Sequence, residues 1–155
     1  MTSTPTAHSK PNALVELFGT TRPIIGVVHA RALPGAPSYE GEPIEEVYAA
    51  AVRDGLAYHG AGLHGLIVEN HGDIPFAKPD AIGQETAAAM SVLAERVRVA
   101  TGLPIGVNVL ANAADTALAV AKASQAGFVR VNAVSYTHLT LPTSSVMGWG
   151  GGGGG

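Results

Sequence analysis

The stretch that decides the fold is GLIVENHGDIPF, residues 65–76, where a short apolar run ends abruptly in polar side chains. Its Leu-Ile-Val run has the length and the β-branching of a buried strand. Two carboxylates, an amide and an imidazole follow within five positions, namely Glu69, Asn70, His71 and Asp73. Reactive side chains gathered at the end of a buried strand indicate a functional site carried by a rigid sheet.

Outward from this stretch, short apolar runs alternate with amphipathic segments over residues 22–132. Strands are predicted wherever such a run is bounded by Gly, Pro or polar residues, at 23–29, 65–70, 104–110 and 128–132. Helices are predicted where apolar positions recur at helical spacing: from Pro43 to Gly60 or Gly62, from about Gln84 to Ala100, and from Asn112 or Asp115 to Gly127. Apolar strands that alternate with helices predict a parallel sheet.

A (β/α)8 barrel and an open doubly wound sheet both fit this alternation. The segment after the first strand contains neither a G-x-G-x-x-G turn nor a P-loop, either of which would favour the open sheet. Every predicted strand ends in hydrogen-bonding side chains, at the end where a barrel carries its active site. These are His29, Glu69 with Asn70, Asn108, and Arg130 with Asn132. We therefore predict an α/β fold of the (β/α)8 barrel class.

Side chains two positions apart along a strand share a face, and the face toward the helices must be apolar. His29, Glu69, Asn108 and Arg130 are therefore expected to point together into one barrel mouth. A carboxylate at such a mouth costs several kcal/mol unless it is paired or functional, which makes Glu69 the leading candidate for acid/base chemistry. A structural ion pair with Arg130 is the alternative.

The candidate catalytic residues are Glu69 and His29. The alternative for His29 is a histidine at the rim of the barrel whose hydrogen bonds are satisfied and which has no chemical role. The candidate substrate-binding residues are Asn70, Asp73, Asn108, Asn112, Arg130 and Asn132. Loop capping or turn formation would equally explain the asparagines and the aspartate. His29, Glu69, His71 and Asp73 are ligand types that suit a metal, but their spacing is not diagnostic. Metal and cofactor are therefore left open.

Composition narrows the class of protein further. The 155 residues suffice for one domain, and a net charge of −3 is too small to favour nucleic acid as a partner. There is no cysteine, which excludes disulfides and thiolate chemistry. No apolar window reaches the roughly 18 residues of a membrane span, and the first residues lack the apolar core of a secretory signal. We expect a soluble, cytoplasmic protein.

Four segments, PIIGVVHARALPGAPSYEG, GLIVENHGDIPF, LPIGVNVLANAADTALAVAKA and GFVRVN, resemble the BtpA/SgcQ family over residues 22–132. The resemblance implies a barrel of the ribulose-phosphate-binding type and, from the family name, a part in photosystem I biogenesis. The SgcQ branch is grouped with candidate metabolic enzymes, and no settled mechanism comes with the family. Where the family usually has Asn-Asp after the third strand, this chain has Asn112-Ala113. A full-length member is expected to form a homo-oligomer and, in a phototroph, to lie at the periphery of photosynthetic membranes.

The resemblance predicts three regions. Residues 1–21 are predicted to be a flexible leader, residues 22–133 the first four βα units of the barrel, and residues 134–155 a non-native, disordered tail. The tail resembles translated adapter sequence followed by a translated run of G, which predicts a truncated reading frame. Such a half-barrel would expose apolar surface and two sheet edges, so we expect dimers or aggregates and no independent function.

Two function classes remain open at this stage. One is a barrel enzyme acting on a phosphorylated or otherwise polar metabolite, with Glu69 or His29 as acid/base and with Arg130 and the asparagines as binders. The other is a non-catalytic biogenesis factor that uses the fold as a scaffold.

Overall fold

The computed structural model describes residues 11–131. Residues 1–10 and 132–155 are outside the described part of the chain. Helices and strands alternate along the described chain, and their bounds are α1 Ala13–Phe18, β1 Ile25–His29, α2 Ile44–Gly60, β2 Gly65–Glu69, α3 Gln84–Thr101, β3 Ile105–Asn108, α4 Ala114–Ser124 and β4 Phe128–Val129. A short 3-10 turn, Pro79–Ala81, precedes α3. The predicted alternation of strands and helices is confirmed, and each predicted strand loses one to three residues at its ends.

The strands form one sheet of four, in the order β1-β2-β3-β4, and all pairs are parallel. A doubly wound sheet reverses its strand order near the middle, whereas consecutive units of a barrel keep the order of the chain. The described strands show no such reversal. The sheet is therefore compatible with part of a (β/α)8 architecture.

The three long helices cover a single face of the sheet. Helix α2 packs on α3, and α3 packs on α4. Their apolar sides meet the apolar side chains that alternate outward from the strands, and together they form one buried core. Its fully buried members include Val28, Val47, Leu66, Val68, Met90, Leu93, Val97, Val107 and Val120. Burial of this apolar area is the main favourable contribution to folding.

The opposite face of the sheet, which we call the open face, carries the alternate side chains Val27, Ile67, Gly106 and Phe128. Along β1 the burial alternates strictly, since Gly26 and Val28 are buried whereas Ile25 and Val27 are only half-buried. The lack of a side chain at Gly106 leaves room for the Phe128 ring, which would collide with a Cβ at this position. This set of side chains is therefore apolar; it is buried at Ile67 and Gly106 in the middle of the sheet and half-buried at Val27 and Phe128 on the outer strands.

Helix α1 closes the open face at the amino end of the strands. Asn12 caps the helix by accepting a hydrogen bond from the Leu14 N–H, and Gly19 ends it in the left-handed conformation. The Phe18 ring meets Phe128 edge to face, with ring centroids 5.5 Å apart. The helix Ala13–Phe18 lies within residues 1–21, the region predicted to be a flexible leader. A six-residue helix is marginal alone and persists here because it is capped and docked on the sheet.

Replacing Phe18 by alanine is expected to lower the free energy of unfolding by about 1–2 kcal/mol, because the ring is half-buried against Phe128 and Gly65. Leu14→Ala provides the matched control, since Leu14 lies on the same helix and is 42% exposed. Urea unfolding followed by circular dichroism measures both. Equal losses in the two variants would show that α1 does not dock through Phe18.

Candidate functional site

Four polar side chains form a single row across the carboxyl end of the sheet. His29 pairs with Glu69, and Glu69 pairs with Asn108, as direct neighbours in the parallel register. Arg130 follows the last paired residue of β4, and its N–H donates to the Val107 carbonyl at 2.9 Å, which places it beside Asn108. The structure therefore brings His29, Glu69, Asn108 and Arg130 together in one row, which we call the polar row; the barrel mouth and the chemical roles of these residues stay predictions.

Glu69 is the centre of the polar row and is 4% exposed. The Asn108 side-chain amide and the Arg130 guanidinium both donate to its Oε2 atom, each at 2.7 Å. The other oxygen, Oε1, faces Nε2 of His29 at 3.9 Å, beyond hydrogen-bond distance. The ion pair with Arg130 thus exists, and it leaves one carboxylate oxygen turned toward His29.

A second histidine accompanies the polar row. The ring of His71 stacks on that of His29 with centroids 4.3 Å apart and an interplanar angle of 21°. Phe76 meets the His71 ring edge to face at 6.3 Å. His71 was considered above only as a metal ligand. The alternation of the strand could have placed it, because His71 lies two residues beyond Glu69 and so continues on the same face.

Asn70 and Asp73 tie the loops together from beneath the polar row. Asn70 Oδ1 accepts a hydrogen bond from the Leu110 N–H at 2.6 Å, and its amide donates to Asp73 Oδ2 at 3.0 Å. Asp73 Oδ1 accepts from the Leu33 N–H at 2.8 Å. Both residues are buried, at 2% and 6% exposure. Their side chains are therefore engaged by the protein itself, and a role in binding substrate stays a prediction.

Burial raises the pKa of Asp73 above its usual value, and the hydrogen bonds from Leu33 and Asn70 oppose that rise. Desolvation disfavours the charged carboxylate, whereas donors directed at its oxygens favour it. The net rise means that this carboxylate is held in place at some electrostatic cost.

The loop after β1 is fastened to the loop after β2. The Gly72 N–H donates to the Ala30 carbonyl at 2.9 Å, and the Ser38 hydroxyl donates to the Gly72 carbonyl at 2.6 Å. Arg31 forms an ion pair with Glu42. These bonds hold the long first loop against the second, so the rim beside Glu69 is braced at several points.

The two remaining candidates differ in placement. Asn112 has a positive φ of 61°, and its Oδ1 atom is buried without a hydrogen-bond partner among the described residues. Helix α4 begins with Ala113 as its N-cap, so Asn112 does not cap it. Asn132 lies outside the described residues. Within residues 11–131, no three His, Asp or Glu side chains come close enough to hold a metal ion.

Comparison with known proteins assigns the chain to a family. A model described as the BtpA family matches residues 20–143. The chain belongs to the BtpA family. The match begins two residues before the stretch that the motifs predict, residues 22–132, and continues eleven residues beyond it, into the segment predicted to be non-native.

The relatives come from distant organisms. The chain is 43% identical over 119 residues to an uncharacterized protein of Pyrococcus horikoshii. The aligned residues cover 77% of this chain and 45% of that protein. The chain is 36% identical over 127 residues to the Photosystem I biogenesis protein BtpA of Synechocystis, covering 82% and 44%. An uncharacterized mitochondrial protein of Caenorhabditis elegans is 30% identical over 130 residues, covering 80% and 46%. No solved structure matches the chain.

This BtpA-family chain spans about half the length of the curated relatives that it matches. Over the part of the chain that the structure describes, no helix has both the length and the apolarity needed to cross a bilayer. The polar row therefore lies within a segment that corresponds to about half of the length of these relatives.

Proposed function

We propose that the family protein is a (β/α)8-barrel enzyme that moves a proton on a small polar metabolite, with Glu69 as the acid/base. The observation that carries this proposal is the way in which the Glu69 carboxylate is held. Asn108 and Arg130 fix Oε2, while Oε1 is left facing His29 at the end of the sheet. A base held by one oxygen can accept a proton on the other without losing its position.

The uncovered surfaces support a complete barrel in the full-length protein. The described sheet ends at β4, where a groove of about 460 Å³ runs between α4 and β4. Leu118 in that groove is 56% exposed, and Val131 beyond the strand is 46% exposed. Further βα units would bury both side chains and would cover the half-buried open face. In such a barrel the polar row stands at the active-site end of the strands.

Two further side chains of the polar row, those of Arg130 and His29, favour a particular chemical class of substrate. The Arg130 side chain is 41% exposed, and among described residues only its NH2 atom is used, on Glu69. Its other donors can hold a carboxylate or phosphate group of a substrate. His29, with its side chain 54% exposed, can exchange a proton with a hydroxyl or carbonyl nearby. The site therefore suits an anionic hydroxy- or oxo-metabolite.

The test uses a full-length relative that carries the same four residues. Phosphorylated sugars and hydroxy acids are incubated with it in D2O, and proton NMR follows the loss of C–H signals next to carbonyl groups. The change equivalent to Glu69→Gln should slow this exchange roughly a hundredfold, because a positioned general base contributes on that order. Gln keeps an oxygen for Asn108 and Arg130, so the fold should persist.

Glu46→Gln is the matched control, since Glu46 is an exposed carboxylate in the first turn of α2 on the helical side of the sheet. It should exchange as fast as the unchanged protein. Enzyme-dependent exchange that survives Glu69→Gln at full rate would refute the acid/base assignment.

The second candidate is a role in photosystem I biogenesis, favoured by the name of the Synechocystis relative. One experiment tests both candidate functions. A cyanobacterium lacking its own BtpA receives the gene of a full-length relative, with or without the change equivalent to Glu69→Gln. Restoration of photosystem I by the substituted protein would separate the assembly role from acid/base chemistry.

A further inference from the structure

His71 has no part in the proton transfer proposed above, yet it lies flat against a residue that does. Its ring stacks on His29 at 4.3 Å and is flanked by Phe76 at 6.3 Å. His71 and Phe76 are both exposed residues of the loop after β2. An exposed stack of this kind contributes little to the core, so its effect on the neighbouring ring is the point of interest.

His29 has little else to fix its ring. It is the last residue of β1, its side chain is 54% exposed, and its Nε2 atom lies 3.9 Å from the nearest Glu69 oxygen. That distance is too long for a hydrogen bond, and within residues 11–131 the side chain makes none. A strand-end histidine without such a bond samples several χ1 rotamers.

We propose that His71 is a positioning residue that holds the His29 imidazole with its Nε2 edge toward Glu69 Oε1. Offset stacking of two rings favours the observed rotamer by roughly two- to tenfold over unstacked ones. Phe76 limits the movement of His71 from the side. The stack also closes one face of the His29 ring, so a ligand meets the ring through its nitrogen edge. This inference rests on the proposed function only for what the oriented ring does.

The orientation can be measured without a substrate. In the chain labelled with ¹³C and ¹⁵N, three-bond couplings about χ1 of His29 report its rotamer populations directly. One dominant rotamer is expected in the unchanged protein and in His71→Phe, which keeps a stacking ring. Averaged couplings are expected in His71→Ala and in His71→Leu, which remove the ring, the second of them while keeping apolar bulk. His59, an exposed residue at the end of α2, serves as an internal reference that all variants leave unchanged.

Retention of one His29 rotamer in both His71→Ala and His71→Leu would overturn the proposal, as would averaging in His71→Phe. These results stand apart from the test of Glu69, because Glu69→Gln leaves the stack in place. In the exchange experiment above, His71→Ala should slow turnover roughly tenfold through misplacement of His29, and His71→Phe should restore it. If Glu69 proves inactive, the couplings still decide whether His71 orients His29.

Discussion

Replacement of Gly72 by alanine is expected to lower the free energy of unfolding by about 3 kcal/mol, at the upper end of what overpacking costs. A Cβ at this position would stand 2.5 Å from the Arg31 carbonyl carbon and 2.8 Å from the Ala30 oxygen, and would also collide with the Ala32 nitrogen. All three obstacles are backbone atoms, so no side chain can turn aside to make room. The loop after β1 must shift as a whole.

That shift would reach the site. The Ala30 N–H donates to the Glu69 carbonyl at 2.8 Å, and the same Ala30 accepts from Gly72, so movement of this segment disturbs the end of β2. Gly60→Ala is the control, because nothing lies within 4 Å of a Cβ there and the residue is helical. It should be neutral or stabilise by up to about 1 kcal/mol. Urea unfolding measures both, and a Gly72→Ala protein as stable as the unchanged one would contradict the collision.

Asp73→Ala is the second substitution with a large expected effect, again a loss of about 3 kcal/mol in the free energy of unfolding. It removes the acceptor of the buried Leu33 N–H and one of the two acceptors of the Asn70 amide, which keeps only its long 3.4 Å contact with the Leu110 carbonyl; an unsatisfied buried group costs about 1–3 kcal/mol. Asp54→Ala is the control, since Asp54 is exposed on α2 and should change stability by less than about 0.5 kcal/mol. Equal free energies of unfolding in these two variants would show that the hydrogen bonds accepted by Asp73 contribute nothing to stability.

Asp73→Asn separates charge from hydrogen bonding. Asparagine keeps an oxygen for Leu33 but presents an NH2 group to the Asn70 amide, which cannot turn because its oxygen accepts from Leu110. The expected loss is about 1–2 kcal/mol at neutral pH.

The pH dependence of this variant has a definite sign. Burial raises the folded-state pKa of Asp73 above its usual value of 3.8. The stability that this group contributes is therefore fully present below that value and is lost as the pH rises through the folded-state pKa. The advantage of the unchanged protein over Asp73→Asn should be largest in acid and should shrink toward neutral pH. A difference that grows with pH would mean that the pKa is lowered instead.

Within residues 69–73, side chains of the site alternate with residues that hold the surrounding loops in place. Glu69, at the end of β2, carries the proposed chemistry, and His71, in the loop that follows, stacks on His29 beside it. The residues between and after them, Asn70, Gly72 and Asp73, hold the loops around it. Supporting hydrogen bonds of this kind keep a site within the narrow tolerance that acid/base chemistry needs.

The sequence by itself determined the order of the four strands and the three long helices, and the end of the sheet at which the polar residues gather. Both follow from local periodicity, since the alternation of two in a strand and of 3.6 in a helix is written in consecutive residues. For the same reason the placement of Glu69 with His29, Asn108 and Arg130 could be predicted from parity. The resemblance of its motifs to the BtpA/SgcQ family identified the family.

Only the tertiary structure decided the rest, because the remaining contacts join residues that are distant along the chain. Residues 13–18 could not be read as a helix, since their docking partner Phe128 lies 110 positions from Phe18 and supplies the contact that a six-residue helix lacks alone. Asn70 and Asp73 hold the loops in place because each accepts a hydrogen bond from a residue 40 positions away. The Leu110 N–H donates to Asn70, and the Leu33 N–H donates to Asp73. Hydrogen bonds and close contacts of this kind depend on register and loop path, which local pattern does not fix.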